Sequence, residues 1–141
     1  MTYTSFDRDG FETFRNNDRP GPIQMLNLVQ LRDQAVYDDG TLATGAEAYA
    51  SYGRLSAPVL ARVGGHIVWR GAMEQMLIGP QEKMWDICFI AQYPSPEAFV
   101  SMLKDPEYRL AMTHRQAGVA DSRLIRMKPL EAGGAFGDPS G

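Results

Sequence analysis

The sequence predicts an α+β domain in which a four-stranded antiparallel sheet carries helices on one face. Three observations lead there. The segments IQMLNLVQL (23–31) and WDICFIAQY (85–93) are apolar on both faces, as central strands are. GHIVWRGAM (65–73) and DSRLIRMKPL (121–130) alternate like strands but carry charge, as edge strands do. Helix-start signals at Thr44, Ser95 and Asp105 stand between these segments.

The chain opens with Phe6, Phe11 and Phe14, which include an i, i+3 pair. Asp9 is placed to cap a short helix, expected over residues 5–17, that ends before Arg19-Pro20-Gly21-Pro22. This helix should pack on the domain rather than inside it. In the first strand Ile23, Met25, Val29 and Leu31 point one way, Leu26 and Leu28 the other, and Asn27 is the one polar group on the first face.

After a loop, Thr44 and Glu47 form the reciprocal capping-box pattern of a helix start. Ala48, Tyr52, Leu55, Val59 and Val63 follow as the buried stripe until Gly64-Gly65 stops the helix. Pro58 removes a backbone donor and crowds the carbonyl of Arg54, which predicts a kink or short break. The second strand should place Ile67 and Trp69 on one face and His66, Val68 and Arg70 on the other.

MLIGPQEKM (76–84) together with WDICFIAQY reads as a strand interrupted at Gly79-Pro80, with Trp85, Ile87, Phe89, Ala91 and Tyr93 on one face. Ser95-Pro96-Glu97 and Asp105-Pro106-Glu107 each combine a cap, a first-turn proline and an acid, and start two short helices. The first turns Phe99, Met102 and Leu103 inward; the second turns Tyr108, Ala111, Met112 and Arg115 inward. One domain over residues 1–130 is expected, followed by a glycine-rich tail at 131–141.

Leaving the N-terminal helix aside, the order βαββαβ with right-handed crossovers gives a ferredoxin-like sheet with strands one and three in the centre. Helices cover only one face of such a sheet, yet its central strands are apolar on both. A second copy packed through that face, as a homodimer, is the expected cover. The rival is that the N-terminal helix or residues 32–44 fold over it within one chain.

The 141 residues carry a formal net charge of −3, with 44% hydrophobic and 22% charged residues, the balance of a folded domain. Basic residues cluster only in pairs such as His114-Arg115, which argues against a nucleic-acid partner. No stretch is apolar and long enough to span a bilayer, and MTYTSFDRDG lacks the order of a secretory signal, so no membrane partner and a cytoplasmic location are expected. The single cysteine, Cys88, reads as a small buried hydrophobe; a reactive thiol would need an activating basic neighbour, and the sequence supplies none beside it.

Two histidines, His66 and His114, without paired cysteines or HxxxH spacing, make metal binding improbable, and a haem would need one of them. There is no nucleophile elbow, phosphate-cradling loop or dinucleotide fingerprint, so no cofactor is expected. Asn27 is either satisfied structurally or orients a ligand. His114 either complements a helix C-terminus or acts as a general acid or base. Tyr52, Trp69, Trp85 and Arg123 are candidates for lining a ligand pocket between sheet and helices, with Asn27 and His114 as the candidate catalytic pair. Trp69 and Trp85 read equally as core, and Arg123 as the ion-pair partner of Asp86 or of a neighbour. Two functions follow: binding of a small apolar or aromatic molecule, with or without cofactor-free chemistry, and a dimeric scaffold without a reaction.

GPIQMLNL, GG followed by VWRG, LIGP, WD, YPSPEAF, DPEYRLAMTHR and DSRLI occur in this order across residues 20–130. In that combination the chain resembles the uncharacterised family called domain of unknown function 1330. The resemblance implies the dimeric α+β barrel superfamily, ferredoxin-like domains that pair through their sheets. Characterised members of that superfamily include cofactor-free monooxygenases of aromatic polyketides, muconolactone isomerase, chlorite dismutase and haem-degrading enzymes, so the fold leaves the chemistry open.

Overall fold

A computed structural model describes residues 1–138, and each of its helices begins on a side chain that closes the first turn. The order is α1 (Arg8–Asn16), β1 (Ile23–Leu31), α2 (Gly45–Arg62), β2 (His66–Gly71), β3 (Ile87–Tyr93), α3 (Pro96–Lys104), α4 (Pro106–Gly118) and β4 (Val119–Met127). Thr44 and Glu47 exchange both capping-box bonds at α2, at 2.9 and 3.0 Å. Ser95 accepts from the Ala98 amide at α3, and Asp105 from the Glu107 and Tyr108 amides at α4. At α1 the cap is Asp7, which accepts from the Gly10 amide at 2.6 Å, and not Asp9, which lies inside the first turn.

The sheet order is β2-β3-β1-β4, all antiparallel, so the two doubly apolar strands occupy the centre. Register assigns the faces. Ile23, Met25, Asn27 and Val29 lie opposite Tyr93, Ala91, Phe89 and Ile87 on the helix side. On β4 the same face carries Ser122, Leu124 and Arg126. The core sits there, with Ile23, Met25, Val59, Ala91, Tyr93, Phe99, Met102 and Tyr108 buried together.

Three local expectations are corrected. The stretch 76–84 is a loop, because Gly79 takes a φ of +144° and a turn closes with the Lys83 amide on the Pro80 carbonyl. β3 therefore starts only at Ile87, and Trp85 stands in the loop before it. α2 runs through Pro58 without a break; Pro58 and Arg54 are both exposed, so water can satisfy the carbonyl that proline leaves unbonded. Finally, β2 shifts register between Ile67 and Trp69, which pair with Ala91 and Ile90 respectively. One extra residue at Val68 turns the two side chains to opposite faces.

The second face carries Leu26, Leu28, Cys88, Ile90, Ile125 and Trp69. Neither expected intramolecular cover reaches it. α1 packs on the helix side, where Phe14 meets Phe99 with ring centroids 5.3 Å apart. Residues 32–44 lie against α4, with the Val36 amide on the Ala117 carbonyl. Lys83 and Trp85, together with Tyr3, close one end of the face, where they meet Asp121 and Arg123. Residues 128–138 contain no helix or strand, and the last three residues of the expected tail, 139–141, lie outside the described residues. Among the described residues no helix is long and apolar enough to cross a membrane.

Candidate functional site

Between the helix-side face of the sheet and the N-terminal segment lies a cavity of about 820 Å³. Its floor is Met25, Asn27, Phe89 and Ala91 of the central strands. Tyr52 of α2, Phe99 of α3 and Tyr108, Met112 and Arg115 of α4 form one wall, and Ser122, Leu124 and Arg126 of β4 the other. Phe6, Phe11 and Phe14 roof it. The roof is tied down through the backbone. The Ser122 amide donates to the Tyr3 carbonyl at 2.7 Å, and Arg115 Nη1 donates to the Thr4 carbonyl at 2.9 Å.

Asn27 Nδ2 donates to the Met25 carbonyl at 3.0 Å, and Oδ1 receives no bond from the described residues. The amide is thus half satisfied by its own strand, and its acceptor remains available to the cavity. Tyr52 and Tyr108 share a hydrogen bond between hydroxyls at 2.8 Å. Burial raises the pKa of both phenols above its ordinary value, so each stays protonated at neutral pH. Tyr93 donates to the Met102 sulfur, and burial raises its pKa likewise.

The six candidate residues do not share one pocket. Asn27 and Tyr52 line the cavity. Arg123 contributes to its lining beside Tyr3, but its guanidinium lies over the Tyr3 and Trp85 rings and donates to Asp121 at 2.7 Å. Trp69 stands 49% exposed on the other face, turned there by the β2 bulge. Trp85 lies on that face too, within reach of Lys83. His114 is on the outer side of α4, its Nδ1 2.7 Å from the Tyr37 hydroxyl, because the loop before α2 folds back on α4. Asp86 does not pair with Arg123; its carboxylate accepts from the Leu31 amide at 2.7 Å.

The residue that does pair with Arg123 is Asp121, fully buried. Its oxygens accept from the Tyr3 and Ser122 amides, from Arg123 and from Lys83. Burial alone would raise its pKa, but the bonds from Lys83, the Tyr3 amide and Arg123 outweigh this and hold the carboxyl well below the usual range. Cys88 is half-buried on the same face, and desolvation, with help from Asp86, raises its pKa, which makes it a poor nucleophile. Among the described residues no three His, Cys, Asp or Glu side chains are placed to hold a metal ion.

Arg115 and Arg126 are the site residues that sequence reasoning missed. The signal existed for both: Arg115 falls on the inward stripe of its helix, and Arg126 shares its strand face with Ser122 and Leu124. An arginine on an apolar stripe is as telling as an asparagine in an apolar strand.

Comparison with known proteins fits this picture. No curated protein matches the chain. RPA0582 of Rhodopseudomonas palustris, described as a protein of unknown function, is 58% identical, superimposes with a TM-score of 0.89, and is matched over 93% of this chain and 99% of its own. A methylated form of RPA0582 gives 59% identity, a TM-score of 0.91, and 95% and 100% coverage. Sharing the fold alone are SnoaB, a cofactor-independent oxygenase from Streptomyces nogalater (17% identity, TM-score 0.52, 79% and 95% coverage), and a dimeric ferredoxin-like protein of unknown function from Bacteroides fragilis (13%, 0.50, 76% and 95%). The family defined as domain of unknown function 1330 matches residues 42–127, so with its ferredoxin-like sheet the chain belongs to this family.

Proposed function

We propose that the protein is a homodimer that binds a small apolar or aromatic molecule between its sheet and helices, beneath α1. The cavity is the observation that supports this most. At about 820 Å³ it falls within the range of ordinary ligand sites, roughly 300–1,000 Å³, and its lining combines aromatic and methionine side chains with polar and cationic groups. A scaffold without a ligand would be expected to fill such a space, since protein interiors pack closely.

Binding is favoured over proton abstraction by what lines the cavity. Its titratable groups are protonated tyrosines, arginines, Lys128 and the carboxylate of Asp7, which is engaged in capping α1. Burial thus keeps the proton on Tyr52 and Tyr108, and the Asp7 carboxylate is already engaged by a backbone amide. Cofactor-free oxygenation or isomerisation is the second reading, supported by the Asn27 carbonyl oxygen and the Tyr52–Tyr108 hydroxyls set against an apolar ring site.

The pairing of two chains is supported by the second sheet face, where Leu26, Leu28, Cys88 and Ile90 form a central apolar strip, and by the dimeric state of the Bacteroides fragilis protein of the same fold. Two measurements test the proposal. The uncharged fluorescent probe N-phenylnaphthylamine should bind saturably, one per chain; absence of saturable binding would reject the cavity as a ligand site. Light scattering should return twice the mass of one chain, and Ile90→Asp should halve it. A lone-chain mass for the wild type would remove the dimer and leave the cavity reading untouched.

A further inference from the structure

We propose that the ligand of this cavity is an acid, a carboxylate or similar compact anion on an apolar body, and that Arg126 receives the anionic group. The inference deepens the proposed function and rests on it.

Arg126 lies on the helix-side face of β4, opposite Met25 of β1. Its guanidinium sits 4.8 Å over the Phe14 ring, and Nη1 makes one long bond, 3.4 Å, to the Phe14 carbonyl. Nη2 is buried and has no hydrogen-bond partner, alone in this among the buried side-chain nitrogen and oxygen atoms of the described residues. Guanidinium nitrogens are strong donors, and buried donors are almost always satisfied. Burial lowers the pKa of Arg126, and the charge of Arg19 lowers it further. Glu97 on α3 attracts it from a distance but forms no ion pair with it.

The orphaned donor belongs to a wider imbalance. Arg19, Arg115, Arg126 and Lys128 line the cavity against one carboxylate, that of Asp7, and none of them forms an ion pair among the described residues. The chain as a whole carries a net charge of −3, so acids to pair with them are not scarce. Where the fold does pair cations it brings carboxylates to them: Arg8 meets Glu12, Arg62 reaches Asp105 and Glu107, and Lys83 shares Asp121 with Arg123, which also contributes to the cavity lining. Of the five cations that line the cavity, only Arg123 has a carboxylate partner among the described residues. A half-buried cation with a buried, empty donor is a receptor for an anion that arrives with the ligand, since a charge-assisted bond in a partly enclosed site is stronger than one in water. A neutral carbonyl could fill Nη2 but would leave the charge unbalanced. The ring and methionine lining, Phe89, Phe99, Met25 and Met112, suits an apolar body behind the acid and not a heavily hydrated one.

Two fluorescent probes that share a ring system isolate the anionic group: anilinonaphthalene sulfonate and the uncharged N-phenylnaphthylamine. The wild-type protein should bind the sulfonate about tenfold or more tightly than the neutral probe, a preference that weakens as salt is added. Arg126→Met should erase that preference, and a far-ultraviolet circular dichroism spectrum and thermal transition like those of the wild type show that the variant is folded. Arg126→Lys should keep part of the preference, and Arg54→Met, on the exposed side of α2, should keep all of it. Equal wild-type affinity for both probes, or an Arg126→Met variant that weakens both alike, would overturn the acid while leaving the cavity as a ligand site. Failure of both probes to bind would overturn the cavity reading and this inference with it.

Discussion

Strand β4 carries a cluster of positive charge on each face, and the two clusters are built in opposite ways. On the outer face Lys83 and Arg123 close on the buried carboxylate of Asp121, which also takes the amides of Tyr3 and Ser122. Lys83 further donates to Gln30, and both cations lie against the Trp85 ring. Every partner is supplied by the fold. On the helix side Arg115 and Arg126 meet only carbonyls, a hydroxyl and a ring, and one Nη atom of Arg126 meets nothing. A saturated cluster stabilises a structure; an unsaturated one costs stability and is best understood by what it can receive.

The largest expected effect separates the two directly. Asp121→Ala should destabilise the protein by about 3 kcal/mol or more, because it strands a lysine, an arginine and two backbone amides that were packed around one carboxylate. Arg126→Met should leave stability within about 0.5 kcal/mol or raise it, since it removes a half-buried charge with an unbonded nitrogen and no counter-ion and keeps the apolar volume. Urea denaturation of both variants is the measurement. Equal losses would mean that the helix-side arginines are structural after all.

Acid should act on the first cluster by the same logic. The carboxyl of Asp121 is depressed in the folded protein, so its contribution is fully present above the unfolded-state value, about 3.9, and is lost as pH falls from there toward the folded value. Wild type should therefore exceed Asp121→Asn in Tm by a constant margin near neutrality. That margin should shrink as the pH is lowered from about 5 to about 2.5. A margin that widened in acid would contradict the assignment of the buried carboxylate as ionised.

What the sequence made legible follows this same division. Capping chemistry and alternation are local, and they fixed α2, α3, α4 and the central position of β1 and β3. Asp121, although it terminates in the most densely bonded side chain of the fold, was invisible because its partners come from the N-terminus, the loop before β3 and β4 itself. Trp69 was misplaced for a local reason, a single bulged residue that reverses the alternation after it. His114 looked catalytic by its chemistry alone; that Tyr37 meets it on the outer side of α4 depends on how the loop before α2 folds back. Asn27 was legible because an amide in a doubly apolar strand is conspicuous, and Arg126 was equally conspicuous once charge on the cavity side of β4 is read the same way.

The smallest effect concerns the neutral polar pair of the cavity, and it reports whether that space is dry. Tyr52 and Tyr108 bond to each other through their hydroxyls, and Tyr108 is buried. Tyr52→Phe or Tyr108→Phe alone leaves one hydroxyl without its partner, an expected cost of about 1 kcal/mol. The double variant should cost less than the sum of the two, because removing both partners leaves nothing unsatisfied. A coupling of about 0.5 kcal/mol or more in a double-mutant cycle would mean that water does not substitute for the missing hydroxyl. Negligible single and double effects would mean that it does, and that Arg126 then faces bulk-like solvent in the same cavity. In that case the open donor would need no anion, so this neutral pair sets the dielectric condition on which the contrast between the two charged clusters depends.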